Sequence, residues 1–290
     1  MIIWLASYPK SGNTFLRSLL TSYLFTNDGK FDVNKLIKIV QFPDIEEFIK
    51  QGINTSDDLE VVKNYITVQN SINSRDPSAI RFLKTHSSLN DINGYKFTNL
   101  KNTLGVIYVV RDPRSVARSY ANHNQLSLET ATDRLLQFGA TIGGLDESDN
   151  RLIQRANQIV THMGSWSSNY KTWKEFKKVN KYLLVKYEDL VDQTEKTFIN
   201  ILQFIYTLGN SKLEVDKVKL KNTIQTTTFS SMQKIERQKK FTEAVKDLQG
   251  NDITFFKYGY DKNNKKILPS NLSNKIEKEL RQEMIELGYL

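Results

Sequence analysis

The spacing of apolar positions changes sharply at a few points along the chain, and those points mark the predicted elements. Ile2 to Ala6 is a continuous apolar run of strand length. Ser7 to Gly12 supplies turn residues, punctuated by Pro9 and Gly12. From Asn13 the period becomes four: Phe15, Leu19 and Tyr23 repeat, as do Leu16, Leu20 and Leu24, which lays apolar side chains along one helix face. The opening therefore reads strand, tight loop, helix. Ala79 to Leu83 and Tyr182 to Lys186 are further short strands. Leu104 to Val110 is nearly all β-branched or aromatic, as expected of a strand buried on both faces of a parallel sheet. Helical spacing is predicted near Asp44 to Gln51 and Asp57 to Ser71, then over Ser115 to His123, Ser127 to Phe138, Ile153 to Phe176, Thr194 to Tyr206 and Leu272 to Leu287, where Gly288 is a stop signal. This alternation predicts an α/β fold: a single three-layer domain over residues 1–290, with a mainly parallel central sheet flanked by helices and a P-loop-like first loop.

Composition narrows the chemistry. The chain has no cysteine, which excludes disulfides, thiolate metal sites and a cysteine nucleophile. Its only histidines are His86, His123 and His162, so a multi-histidine metal site is not expected. A net charge of +9 attracts anions. The lysines are spread along the chain without a dense arginine stripe, and no nucleic-acid partner is expected. No stretch approaches a membrane span, and the N-terminal apolar run is too short and lacks the basic region of a signal peptide. The expected location is the cytoplasm, with no membrane partner.

Three places carry candidate chemistry. A strand-loop-helix start aims backbone N–H groups and the positive helix end at one point; Lys10 adds a charge there, and Ser11 and Thr14 add hydroxyls. Phosphate is the natural ligand. The loop does not match G-x-x-x-x-G-K-[ST], because Lys10 precedes Gly12, so an ordinary turn with a solvated lysine is the alternative. Lys84-Thr85-His86 ends a strand, where the sites of open parallel sheets lie. Arg111-Asp112-Pro113-Arg114 follows another strand and is a second anion site or, alternatively, an internal Arg111–Asp112 ion pair. For Tyr187 the plain alternative is a core tyrosine.

Tyr8-Pro9-Lys10-Ser11-Gly12-Asn13-Thr14-Phe15 resembles the phosphosulfate-binding loop of the sulfotransferases, which usually reads Y-P-K-S-G-T-T-W. Those enzymes use 3′-phosphoadenosine 5′-phosphosulfate (PAPS) as sulfuryl donor and release 3′-phosphoadenosine 5′-phosphate (PAP). The resemblance implies that Lys10, Ser11, Gly12, Asn13, Thr14 and Phe15 hold the donor. The family's K-T-H corresponds to Lys84-Thr85-His86, implying His86 as general base and Lys84, with Lys10, beside the transferred group. Arg111 through Tyr120 resembles the R-[DN]-P-x-[DS]-x-x-x-S-x signature, whose arginine and serine, here Arg111 and Ser119, hold the 3′-phosphate. Y-E-D-[LM] corresponds to Tyr187-Glu188-Asp189-Leu190, and T-S-F-x-x-M to the stretch from Thr226 to Met232, implying Tyr187, Thr228 and Phe229 around adenine. Trp166 and Trp173 echo a W-x-x-H-x-x-x-W helix in which Asn169 replaces the histidine. Phe255 to Gly259 corresponds to F-[FY]-R-K-G, with Lys257 for arginine and Tyr258 for lysine; Lys257 and Gly259 are then expected at the 3′-phosphate.

The reading is a PAPS-dependent sulfotransferase acting on a hydroxyl or amine of a small molecule or glycan, without a metal. Residues 25–80 and 124–150 carry no motif and would shape the acceptor pocket. The alternatives are a magnesium-dependent P-loop nucleotide kinase, opposed by the missing G-K-[ST], and a non-catalytic anion-binding protein. Oligomeric state is left open, a homodimer included.

Overall fold

The computed structural model describes residues 1–143, 159–238, 245–247, 249–260 and 268–290. Its centre is a parallel sheet in the order β2-β1-β3-β6, formed by β1 (Ile2–Ser7), β2 (Arg81–Thr85), β3 (Thr103–Val110) and β6 (Tyr182–Lys186). Between them lie α1 (Asn13–Phe25), α2 (Ile45–Ile49), α3 (Asp58–Lys63), α4 (Tyr65–Ser74), α5 (Pro113–Asn124), α6 (Leu128–Leu136) and α7 (Trp166–Lys174). The chain closes with α8 (Tyr187–Asp192), α9 (Thr194–Leu208), α10 (Lys217–Thr226), α11 (Phe229–Gln238), α12 (Ser270–Glu279) and α13 (Arg281–Glu286). Two antiparallel two-residue pairs complete it: β4 (Thr141–Ile142) with β5 (Thr161–His162), and β7 (Val245–Lys246) with β8 (Asp252–Ile253).

Strand alternation builds two cores. On one face, Ile2, Trp4, Ala6, Val106 and Tyr108 pack with α3, α4, α7 and α12 side chains such as Val61, Val68, Trp173 and Ile276. On the other, Ile3, Leu5, Ile107 and Val109 meet Leu16 and Leu20 of α1, Phe198 and Leu202 of α9, and Leu220 of α10. Every one of these residues is buried. Both faces of β1 and β3 are thus covered, which explains their near-continuous apolar sequence and yields the expected three layers.

Four predicted elements are redrawn. The helix expected over Ile153 to Phe176 starts only at Trp166; residues 153–158 lie outside the described residues. Gly164 takes φ +65°, and the Ser165 side chain accepts from the Ser168 N–H, so turn and cap together set the helix start. His162, read as helical, is in β5. The stretch from Asp57 to Ser71 divides at Asn64 into α3 and α4, and the C-terminal helix divides at Leu280 into α12 and α13. In β2 the strand runs two residues further than its apolar stretch, placing Lys84 and Thr85 inside it and His86 directly after.

Candidate active site

Register brings the chemistry together. Ala6 lies beside Thr85 on one side and Tyr108 on the other, so Ser7, which ends β1, and His86 and Arg111, which follow β2 and β3, gather at the carboxyl ends of three adjacent strands. The crossing from β2 to β3 passes β1, and such a switch point leaves a crevice above the sheet. A cavity of about 350 Å³ occupies it, walled by Lys10, Lys84, His86, Arg111, Ser119 and Tyr187.

The first loop is tightly wound. Lys10 and Gly12 take φ +66° and +103°, the left-handed region that costs a non-glycine residue strain. Asn13 then anchors the helix start: its Nδ2 donates to the Leu5 carbonyl at 2.9 Å and to Ser7 Oγ at 3.2 Å. A Cβ on Gly12 would fall 2.3 Å from Tyr187 Cδ2, so only glycine lets the ring lie against this turn. Tyr187 in turn carries Arg111, whose guanidinium carbon is 4.5 Å from the ring centroid. Burial pushes the Tyr187 hydroxyl above its ordinary pKa, against a smaller opposing effect of Arg111.

Arg111 is not committed to Asp112. It donates from Nη1 to the Lys10 carbonyl at 3.3 Å, while the Asp112 carboxylate takes Arg114 at 2.6 Å and caps α5 by accepting from the Arg114 N–H. The internal ion pair weighed for Arg111 therefore falls to Arg114. Asp112 N–H donates to Glu188 at 3.0 Å, and burial raises the pKa of the Glu188 carboxyl.

His86 is buried, and its Nδ1 lies 2.8 Å from the Ser7 carbonyl. A carbonyl can only accept, so Nδ1 carries the proton and Nε2 is the acceptor of the neutral ring. The His86 carbonyl accepts from Asn169 Nδ2 at 2.9 Å; that amide also holds the Met163 carbonyl, and its oxygen accepts from the Tyr108 hydroxyl. Asn169 thus braces the histidine from the position where the resembling motif has its own histidine. Lys84 is fixed through its backbone, between Val40 and Phe42, in a parallel bridge with Gln41.

Gly12, Asn13, Thr14, Phe15 and Phe229 also reach the cavity wall. Four expected residues do not. The Ser11 hydroxyl is buried, without a hydrogen-bond partner among the described residues. Thr228 points its hydroxyl at the Ser231 N–H, 3.2 Å away, and its neighbour Thr227 stands on the wall instead. Lys257 is exposed, and Gly259 lies behind the Phe229 ring. Sequence reasoning missed Arg17, Gln41, Tyr120, His123 and Phe255 on the wall. Arg17, one turn beyond Thr14 on α1, was findable from helix spacing. Tyr120 and His123, beside and one turn beyond the expected Ser119 on α5, were findable in the same way, whereas Gln41 and Phe255 arrive from distant segments: Lys10 Nζ sits 3.6 Å from the Phe255 ring centroid, and His123 meets the same ring edge-on. Among the described residues no cluster of three or more His, Asp or Glu could hold a metal, and no helix is long and apolar enough to cross a membrane.

A family model for the sulfotransferase domain matches residues 2–288. The chain belongs to the sulfotransferase family. Sulfotransferase 1A1 of Bos taurus is 26% identical to it over 232 residues, covering 79% of this chain and 65% of that protein. Luciferin sulfotransferase of Photinus pyralis is 33% identical over 127 residues, 43% of this chain and 33% of that protein. The matches thus span less than two thirds of the length of these relatives. Among solved structures, a mouse sulfotransferase complexed with PAP aligns with a TM-score of 0.57 at 17% identity, over 98% of this chain and 84% of that one. Retinol dehydratase in complex with androsterone and PAP aligns with a TM-score of 0.57 at 16% identity, over 98% and 80% of the two chains. At such identities the likeness is one of fold: this chain shares the parallel-sheet core with proteins whose crystals hold PAP.

Proposed function

We propose that this chain transfers a sulfuryl group from PAPS to a hydroxyl or amine of an acceptor. The observation that carries the reading is the convergence of two cationic sites, Lys10 and Arg111, and one histidine of defined tautomer on a single cavity. The donor set fits a multiply charged nucleotide. Arg111 stands on the wall with its Nε a buried donor without a hydrogen-bond partner among the described residues, and an anion in the cavity would satisfy it.

In the proposed reaction the acceptor oxygen or nitrogen forms a bond to sulfur as the bond from sulfur to the bridging phosphate oxygen breaks. His86 Nε2 takes the acceptor proton, being the ring's lone-pair nitrogen. Lys10 and Lys84 meet the charge that grows on the departing oxygen and the transferred group. Arg111 and Ser119, eight residues apart in sequence, hold the 3′-phosphate.

Calorimetry tests this without knowledge of the acceptor. PAP should bind more tightly than ADP, and Arg111→Ala should weaken PAP by about 1.5–3 kcal/mol, one charge-assisted contact. Equal affinity for PAP and ADP in the wild-type protein would refute the reading.

A further inference from the structure

On α5, two arginines one turn apart have different surroundings. Arg114 is saturated: it pairs with Asp112 and Glu277 and donates to the Tyr289 carbonyl at 3.0 Å. Arg118 is half-buried, and its guanidinium makes no hydrogen bond or ion pair among the described residues. Its partner is a ring: the guanidinium carbon lies 4.0 Å from the centroid of Tyr258. Tyr258 and Ser119, the residue next to Arg118, both stand on the cavity wall.

The ring's position is well determined. Asn122, one turn beyond Arg118, donates to the Thr254 carbonyl at 3.2 Å. From the other side, Gln233 of α11 donates to the Phe256 carbonyl at 2.9 Å, and the Glu236 carboxylate accepts from the Phe256 N–H at 3.1 Å. The segment before Tyr258 is therefore strapped between α5 and α11. Stacking occupies the face of a guanidinium and leaves its N–H donors, which lie in the plane, available for a planar two-point contact with a phosphate. Neither Lys257 nor Arg118 itself lines the wall, and Lys257 lies on the same ring at 5.4 Å, but Lys257 is exposed, where a point charge is screened by water.

We infer that Arg118, held on the face of Tyr258, is the second guanidinium of the 3′-phosphate subsite, completing the pair with Arg111. The inference rests on the proposed PAPS reading of the cavity. It accounts for Tyr258: the segment contributes a platform for an arginine from α5, and the cation comes from the helix.

The test titrates PAP and adenosine 5′-phosphate, which lacks the 3′-phosphate, into the full-length wild type and variants. Wild type should prefer PAP. Arg118→Ala should weaken PAP by about 10- to 100-fold and leave adenosine 5′-phosphate unchanged, the latter serving as the control for folding. Arg118→Lys, which keeps the charge but loses the fork, should fall between. Tyr258→Phe should match wild type, Tyr258→Ala should lose about 3- to 10-fold on PAP alone, and Lys257→Ala should lose less than Arg118→Ala. Arg118→Ala binding PAP as wild type does, or losing both nucleotides alike, would overturn the inference while the PAPS reading stood. A wild-type protein that does not distinguish the two nucleotides would remove the PAPS reading itself, and the inference with it.

Discussion

The ammonium of Lys10 rests 3.6 Å from the centre of the Phe255 ring, so the C-terminal strap sits on the first loop of the chain. The ring is itself held, edge-on to His123 at 5.5 Å and against Phe256 at 5.0 Å. A cation over a ring gains about 0.5–2 kcal/mol, whereas a hydrogen bond between ions gains about 1.5–3 kcal/mol. The phosphosulfate should therefore draw Lys10 off Phe255. Phe255→Leu, which keeps apolar bulk but removes the π face, should tighten PAP binding by about 2- to 5-fold. A loss of affinity in calorimetry would mean that the ring is a nucleotide contact instead.

Gly12 should tolerate no side chain. At φ +103°, with a Cβ position 2.3 Å from Tyr187, Gly12→Ala meets both backbone strain and a clash. Denaturant titration should show a loss of about 1–3 kcal/mol, with PAP affinity falling as Tyr187 and Arg111 are displaced. Gly52→Ala is the control: φ is +71°, but among the described residues, its chain neighbours apart, no atom lies within 4 Å of its Cβ position. It should show only the backbone cost of about 1–2 kcal/mol and leave PAP binding intact. Equal effects of the two variants on PAP binding would contradict the role given to the Tyr187 contact.

Glu188 sets a pH signature on stability. Burial raises its carboxyl pKa above the ordinary 4.5, although it accepts from the Asp112 N–H at 3.0 Å and the Tyr289 hydroxyl at 2.9 Å. A raised acid favours the folded state most below its unfolded value and loses that contribution as pH rises through the folded value. The non-titrating Glu188→Gln should therefore gain on the wild type as pH rises from about 4 to 8, read from urea midpoints. A gap that does not vary with pH would show that Glu188 is not held in this way.

What the sequence disclosed was local. Residues Ile2 to Thr14 form one continuous strand, loop and helix start, so both fold and loop chemistry are written in adjacent positions. Lys84 and His86 were legible only to within two residues, because the apolar run stops at Leu83 while β2 continues to Thr85. A threonine run gives no phase, and the start of α11 sets Thr227, next to the expected Thr228, on the cavity wall. The helix expected from Ile153 overran because Gly164 and Ser165 form a start that apolar spacing does not register. At the C-terminus, Leu272, Ile276, Leu280, Met284 and Leu287 keep one buried face through the break at Leu280, so periodicity could not reveal it. Contacts between distant segments, such as Phe255 on Lys10 and Tyr258 under Arg118, depend on the assembled sheet and leave no signature in spacing.

The central claim is that this cavity moves a sulfuryl group from PAPS with His86 as base. The most direct measurement compares single-turnover transfer to an acceptor with PAP affinity, in the presence of EDTA, for wild type and His86→Ala. Wild type should form PAP and sulfated acceptor in equal amounts despite chelation. His86→Ala should be slower by about 10²–10⁴-fold with PAP affinity unchanged, because the histidine acts on the acceptor proton. The wild-type rate should also fall at acid pH, where the imidazole is already protonated. A folded His86→Ala protein that transfers at the wild-type rate, or a wild-type protein that forms no sulfated product from PAPS with any acceptor, would contradict the account.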